Sequence, residues 1–128
     1  GMRGLGSSSR QDWTDARNEN TVITAKDFHR MGIQNVLGQI PSGKTFITFD
    51  IDAYDISLMP ATAAPSPGGL LYDETCELLS GICSKAEVIG FDLVETAPSY
   101  DTPATTGCRL AALTMLHIMG QMTKKTLE

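Results

Sequence analysis

Aromatic side chains make up only 6% of this 128-residue chain, and no stretch stays apolar for the roughly 20 residues needed to cross a bilayer. A basic surplus is missing as well: 10 Lys and Arg stand against 15 Asp and Glu, a formal charge of −5 with a pI near 4.9. That balance excludes the positive footprint of a nucleic-acid binder. There is no CxxC pair, and Cys76, Cys83 and Cys108 are an odd set, so they read as reduced thiols in a cytoplasmic setting. No Ser-His-Asp order, GxSxG elbow or phosphate loop occurs. No secretory signal opens the chain; Gly1-Met2-Arg3-Gly4 runs into Gly6-Ser7-Ser8-Ser9, with Gly1 reading as a cleavage scar ahead of Met2.

What is present is ordinary globular composition, 41% hydrophobic and 20% charged, and a length that fits one domain over 1–128. Residues 1–20 are polar and rich in Gly and Ser, so a loop is expected there. Thr21-Val22-Ile23-Thr24 suggests a short strand, after which Thr24 can cap a helix with Asp27 three residues on. That helix should end near Gly32, the apolar pattern continuing from Ile33 to Ile40 before the turn Pro41-Ser42-Gly43. Thr45 to Phe49 is β-branched and aromatic, a strand. A proline- and glycine-rich loop follows from Asp52 to Leu71, long enough to carry function. Tyr72 to Cys83 has helical periodicity. Val88 to Val94 is nearly continuously apolar, as in a strand covered on both faces. A last helix from Ala104 to Met122 carries Leu110, Leu113, Met115, Leu116, Ile118 and Met119, its methionines expected as core filler. Strand, helix, strand, helix implies an α/β fold: a parallel sheet flanked by helices.

In such sheets ligands bind beyond the carboxyl ends of the strands. Two segments qualify, Asp50 to Asp55 and Glu95 to Asp101. Asp50-Ile51-Asp52 aims two carboxylates to one side at the end of a buried parallel strand, since residues i and i+2 of a strand share a face. Such a pair either starts a solvated loop or recruits a hard divalent cation. Asp55 is expected to hydrogen-bond the loop backbone, or to support the metal ligands from behind. Glu95 could cap a helix, face solvent or pair with a cationic guanidinium. Asp92, inside its strand, is expected to turn away from solvent. His29 and His117 stand apart from any second ligand and read as surface or packed histidines.

Together these segments resemble the ureohydrolase family of agmatinases and arginases. Phe49-Asp50-Ile51-Asp52-Ala53-Tyr54-Asp55 resembles the family's S-x-D-[IV]-D-x-x-D-P. Met59-Pro60 with Pro65-Ser66-Pro67-Gly68-Gly69-Leu70 resembles P-G-T-x-x-P-x-P-G-G-L. Gly90 to Pro98 resembles G-x-D-[VL]-V-E-x-x-P, and Tyr100-Asp101 its [YN]-D. Met2-Arg3-Gly4 is similar to the agmatinase G-[IM]-R-G. The resemblance covers Thr45 to about Met119 and implies the C-terminal portion of an arginase-like three-layer sandwich. It implies a binuclear manganese hydrolase that releases urea from an agmatine-like or arginine-like guanidino substrate, in a cytoplasmic homo-oligomer. Asp50 and Asp52 would be two of six ligands to two Mn ions, and Glu95 would contact the guanidino group. No catalytic residue is assigned within the chain. The family's G-G-D-H-S and D-A-H-x-D ligand segments do not occur in these residues, so an inactive fragment is expected. Ile56, Ala61 and Ala63-Ala64 depart from the family loop. The alternative is a non-catalytic α/β module that associates with a protein partner or itself.

Overall fold

The structure is a computed structural model and describes residues 9–127. The similarity of Met2-Arg3-Gly4 and the scar at Gly1 lie outside those residues. No helix among the described residues is long and apolar enough to cross a membrane.

The first element corrects the loop expected up to residue 20: α1 spans Arg10–Glu19. Ser9 and Asp12 explain it. The Ser9 hydroxyl accepts the Asp12 amide at 3.1 Å, and the Asp12 carboxylate accepts the Ser9 amide at 3.1 Å, a reciprocal capping box. Arg17 also lies over the Trp13 ring, 5.4 Å from its centroid. No residue of α1 is buried, so local capping rather than packing sustains it. The strand expected over Thr21 to Thr24 is absent as an element; only Thr24 makes a bridge. Thr24 does cap α2 (Ala25–Met31), its hydroxyl accepting the Asp27 amide at 3.0 Å. Gly32, at φ +78°, breaks α2 from α3 (Ile33–Gly38).

β1 (Lys44–Asp50) and β2 (Glu87–Val94) are parallel, joined through α4 (Tyr72–Lys85). The register runs from Lys44 opposite Glu87 to Asp50 opposite Val94. Ile47, Phe49 and Ile51 form one buried face, against Leu79 of α4 and Ala111 and Ile118 of α5 (Thr106–Leu127). Gly107, Ala111, Thr114 and Ile118 are the buried ridge of α5, at helical spacing. Thr114 receives the Tyr54 hydroxyl at 2.7 Å, which satisfies the one polar end of a fully buried aromatic ring.

Two burial expectations fail for one reason. β2 is not covered on both faces, since Ile89 is 59% exposed and Phe46, on β1, 57%. Met115 and Met119 are exposed rather than core filler, and Leu116 is 62% exposed. Both helices that pack on the sheet belong to the same apolar cluster. Periodicity announced apolar faces, but only neighbours decide which are covered.

The glycines of α5 give opposite expectations. Nothing lies within 4 Å of a methyl built at Gly120, so Gly120→Ala should gain about 0.5–1 kcal/mol from helix propensity and reduced unfolded-state freedom. At Gly107 a methyl would come 2.6 Å from the Ala61 Cβ and 3.0 Å from its backbone nitrogen. Gly107→Ala should therefore lose about 1–3 kcal/mol through overpacking. Denaturant midpoints of the two variants check both signs.

Candidate active site

β1 ends at Asp50, and the chain then curls into a single 3-10 turn, Ile51–Ala53. Asp50 caps that turn: its Oδ1 accepts the Asp52 amide at 3.0 Å. The strand alternation expected to align the two carboxylates therefore stops one residue too soon, because Ile51 is drawn fully into the core and the chain bends away behind it. Asp50 and Asp52 nevertheless line one cleft of about 730 Å³. Ile23, Phe28, Val36 and Ile40 make its opposite, apolar wall. The cleft sits along β1, whose only ladder partner among the described residues is β2.

Glu95 follows β2 directly. Since Val94 pairs with Asp50 in a parallel ladder, Glu95 stands on the same rim, its backbone about 6 Å from that of Asp50 by sheet geometry. It does not line the cleft. Its φ is +65°, a left-handed conformation that is unfavourable for a side chain with a Cβ and tends to occur at functional positions. The flip is held between Val94 in the ladder and Ala97, whose amide donates to Ala61 O at 2.8 Å. Beside it the Thr96 hydroxyl is buried without a hydrogen-bond partner. Asp92 is exposed, contrary to expectation, because it lies opposite Thr48, itself exposed.

Asp55 takes the loop-ordering role. Its Oδ1 accepts from the Ser57 hydroxyl at 2.6 Å and the Ser57 amide at 2.9 Å, and its Oδ2 from the amides of Gly68 at 2.7 Å and Gly69 at 3.2 Å. These donors, Ser57 foremost, hold its pKa down at about 2. Asp101 is a residue the sequence reading did not single out as structural. Its carboxylate accepts from the amides of Thr102, Gly107 and Cys108 at 2.8, 2.9 and 2.8 Å and so seats the start of α5. Withdrawal from water pushes its pKa up, but the Cys108 and Gly107 amides outweigh that and bring it to about 2. Its signal was faint, since the contacts reach six and seven residues along the chain. Both folded values lie below the ordinary 3.8. Their stabilisation is therefore complete above pH 4 and lost as pH falls through 2. Thermal unfolding recorded from pH 5 to 2 should show Tm falling steeply, and less so in Asp55→Asn and Asp101→Asn. An unchanged slope in both variants would refute the assignment.

The histidines are packed or paired elsewhere. His29 Nε2 lies 3.6 Å from Glu74 of α4, and His117 Nε2 lies 2.9 Å from Ser80 Oγ and 3.0 Å from Cys76 O. Ala61 is fully buried, its methyl turned toward Gly107, so that departure from the family loop serves packing. Among the described residues no group of three or more His, Cys, Asp or Glu can hold a metal ion. The residues present do not by themselves fit a metal pair.

Comparison with known proteins points the same way as the motifs. Residues 1–120 match the model of the arginase family. An agmatinase of Salmonella paratyphi B is 32% identical over 115 residues, 87% of this chain and 37% of that protein. Proclavaminate amidino hydrolase from Streptomyces clavuligerus superposes with a TM-score of 0.78 at 28% identity, over 95% of this chain and 41% of that one. Formimidoylglutamase from Bacillus subtilis gives 0.79 at 29%, over 91% and 38%. The chain thus spans about two-fifths of the length of the proteins it matches.

Proposed function

This chain belongs to the arginase family, and from that premise we propose that it forms part of a hydrolase that cleaves a C–N bond in a linear amidine, its substrate carrying a guanidino group. What supports the reading is that Asp50 and Asp52 line a cleft at the carboxyl end of β1 and that Glu95 directly follows the parallel β2, on the edge of the sheet where α/β folds bind ligands. Asp50 and Asp52 are the two carboxylates this chain offers to a metal, and hard oxygen ligands suit manganese. Glu95 offers a carboxylate to a guanidinium, a planar cation it can meet through two hydrogen bonds. Asp55 keeps the turn that carries Asp52 in place through its hold on Gly68 and Gly69. The similarity to an agmatinase favours an agmatine-like substrate over arginine. A cytoplasmic homo-oligomer is the setting this reading implies.

The test is a urea assay with Mn²⁺ on a protein that joins these residues to the rest of an arginase-family fold. Turnover of agmatine is expected, with Glu95→Gln lowering kcat/KM by roughly 10- to 100-fold, the worth of one charged hydrogen-bond pair. A Glu95→Gln variant with full activity removes Glu95 from the substrate site. A second reading, a non-catalytic module that associates through its open surfaces, draws on the exposure of Phe46, Ile89 and Leu116. It gains if no amidine substrate is turned over.

A further inference from the structure

Among the described residues, few side chains able to bind a metal stand at the cleft. His29 faces Glu74, and His117 lies between α4 and α5 against Ser80 and the Cys76 carbonyl. Cys83 is buried in the last turn of α4, and the Cys108 amide is tied to Asp101 at the start of α5. Asp55 and Asp101 have both carboxylate oxygens engaged by the backbone. Glu95 lies across β1 from the cleft, on the β2 side. Residues 1–8 contain no His, Cys, Asp or Glu, and outside the described residues these 128 hold one further carboxylate side chain, Glu128. Of these residue types the cleft lining holds Asp50 and Asp52, and one Asp50 oxygen already accepts a backbone amide. A hard divalent ion needs about six oxygen or nitrogen ligands, and with two carboxylates it keeps most of its water.

We infer that these 128 residues cannot hold a metal pair by themselves. The inference stands on the placement of this chain's own side chains.

Manganese titration of the 128-residue chain, followed by the electron paramagnetic resonance signal of free hexaaqua Mn²⁺, decides it. The signal should track added metal as in buffer, with half-saturation weaker than about 10⁻⁴ M. The double variant Asp50→Asn, Asp52→Asn should give a curve within about twofold of the unmodified chain, since weakly held ions lose little. Removal of one or more Mn²⁺ per chain at about 10 μM or below overturns the inference, whichever side chains prove responsible. The urea assay on the longer protein reads the hydrolase function separately. Turnover there with tight binding here sinks this inference and leaves the reading intact; weak binding here with no turnover there does the reverse.

Discussion

Given Mn²⁺ and agmatine or arginine, the 128 residues alone should release no urea above the uncatalysed background. Enzymes of ordinary power lower their barriers by about 8–23 kcal/mol. The groups this chain brings to its rim fall far short of that. Glu95 is exposed, and an exposed ion pair with a guanidinium is worth about 0–1 kcal/mol. Binding of that kind acts on substrate and transition state alike, so it leaves the barrier almost unchanged. No imidazole reaches the rim to move a proton, since His29 and His117 are engaged against Glu74 and Ser80. The Thr96 hydroxyl is buried and unpartnered, but it is not ionisable at neutral pH. A urea assay on the purified chain, beside the longer protein, settles the matter. Clear turnover by the short chain, abolished by Asp52→Ala, would mean that its ligands and proton carriers include groups placed differently from those described above.

How far the sequence could be read depends on whether the deciding interactions are local. Thr24 with Asp27, the glycine break at Gly32, the β-branched run before Asp50 and the periodicity of α4 all act within a few residues, and each formed as expected. The role of Asp55 was legible for the same reason, since its partner Ser57 is two residues away. The helix over Arg10–Glu19 was local too, but Ser and Gly composition hid the capping box that starts it. The structural role of Asp101 was not legible because its partners Gly107 and Cys108 are not neighbours. The direction of Asp52 turned on whether the chain left the sheet at Asp50 or two residues later. The burial of Ile51 and the cap made by Asp50 decide that, and neither is written in the spacing D-x-D. The family resemblance held through all of this because it rests on the order and spacing of several segments, whatever each residue does within them.

Among the described glycines, Gly69 should be the one where alanine does the most damage, and Gly68→Ala, one residue away, the mild control. Gly68 has φ +75° but open space around it, so a methyl there meets only backbone strain of about 1 kcal/mol. Gly69 is the opposite case. A methyl at Gly69 would overlap the backbone of Tyr54 and Asp55, which cannot swing aside as a side-chain end can. The two segments lie that close because they are tied at several points. The Asp55 amide donates to Leu70 O at 3.0 Å, the Leu70 amide donates to Ala53 O at 2.9 Å, and the Gly69 amide itself donates to Asp55 Oδ2 at 3.2 Å. Separating them to admit a Cβ would break this set while Tyr54, beside it, remains 1% exposed in the core. A loss of about 3 kcal/mol or more is expected, a large share of the 5–15 kcal/mol that holds a typical domain together. The damage should also reach the site, because Ala53 and Tyr54 end the turn that carries Asp52. Hydrogen exchange at the Asp55 and Leu70 amides should accelerate in Gly69→Ala and stay slow in Gly68→Ala, alongside the drop in denaturant midpoint. If Gly69→Ala proved no less stable than Gly68→Ala, the close crossing of these two segments would not exist in solution, and the ties of Asp55 to Gly68 and Gly69 would fall with it.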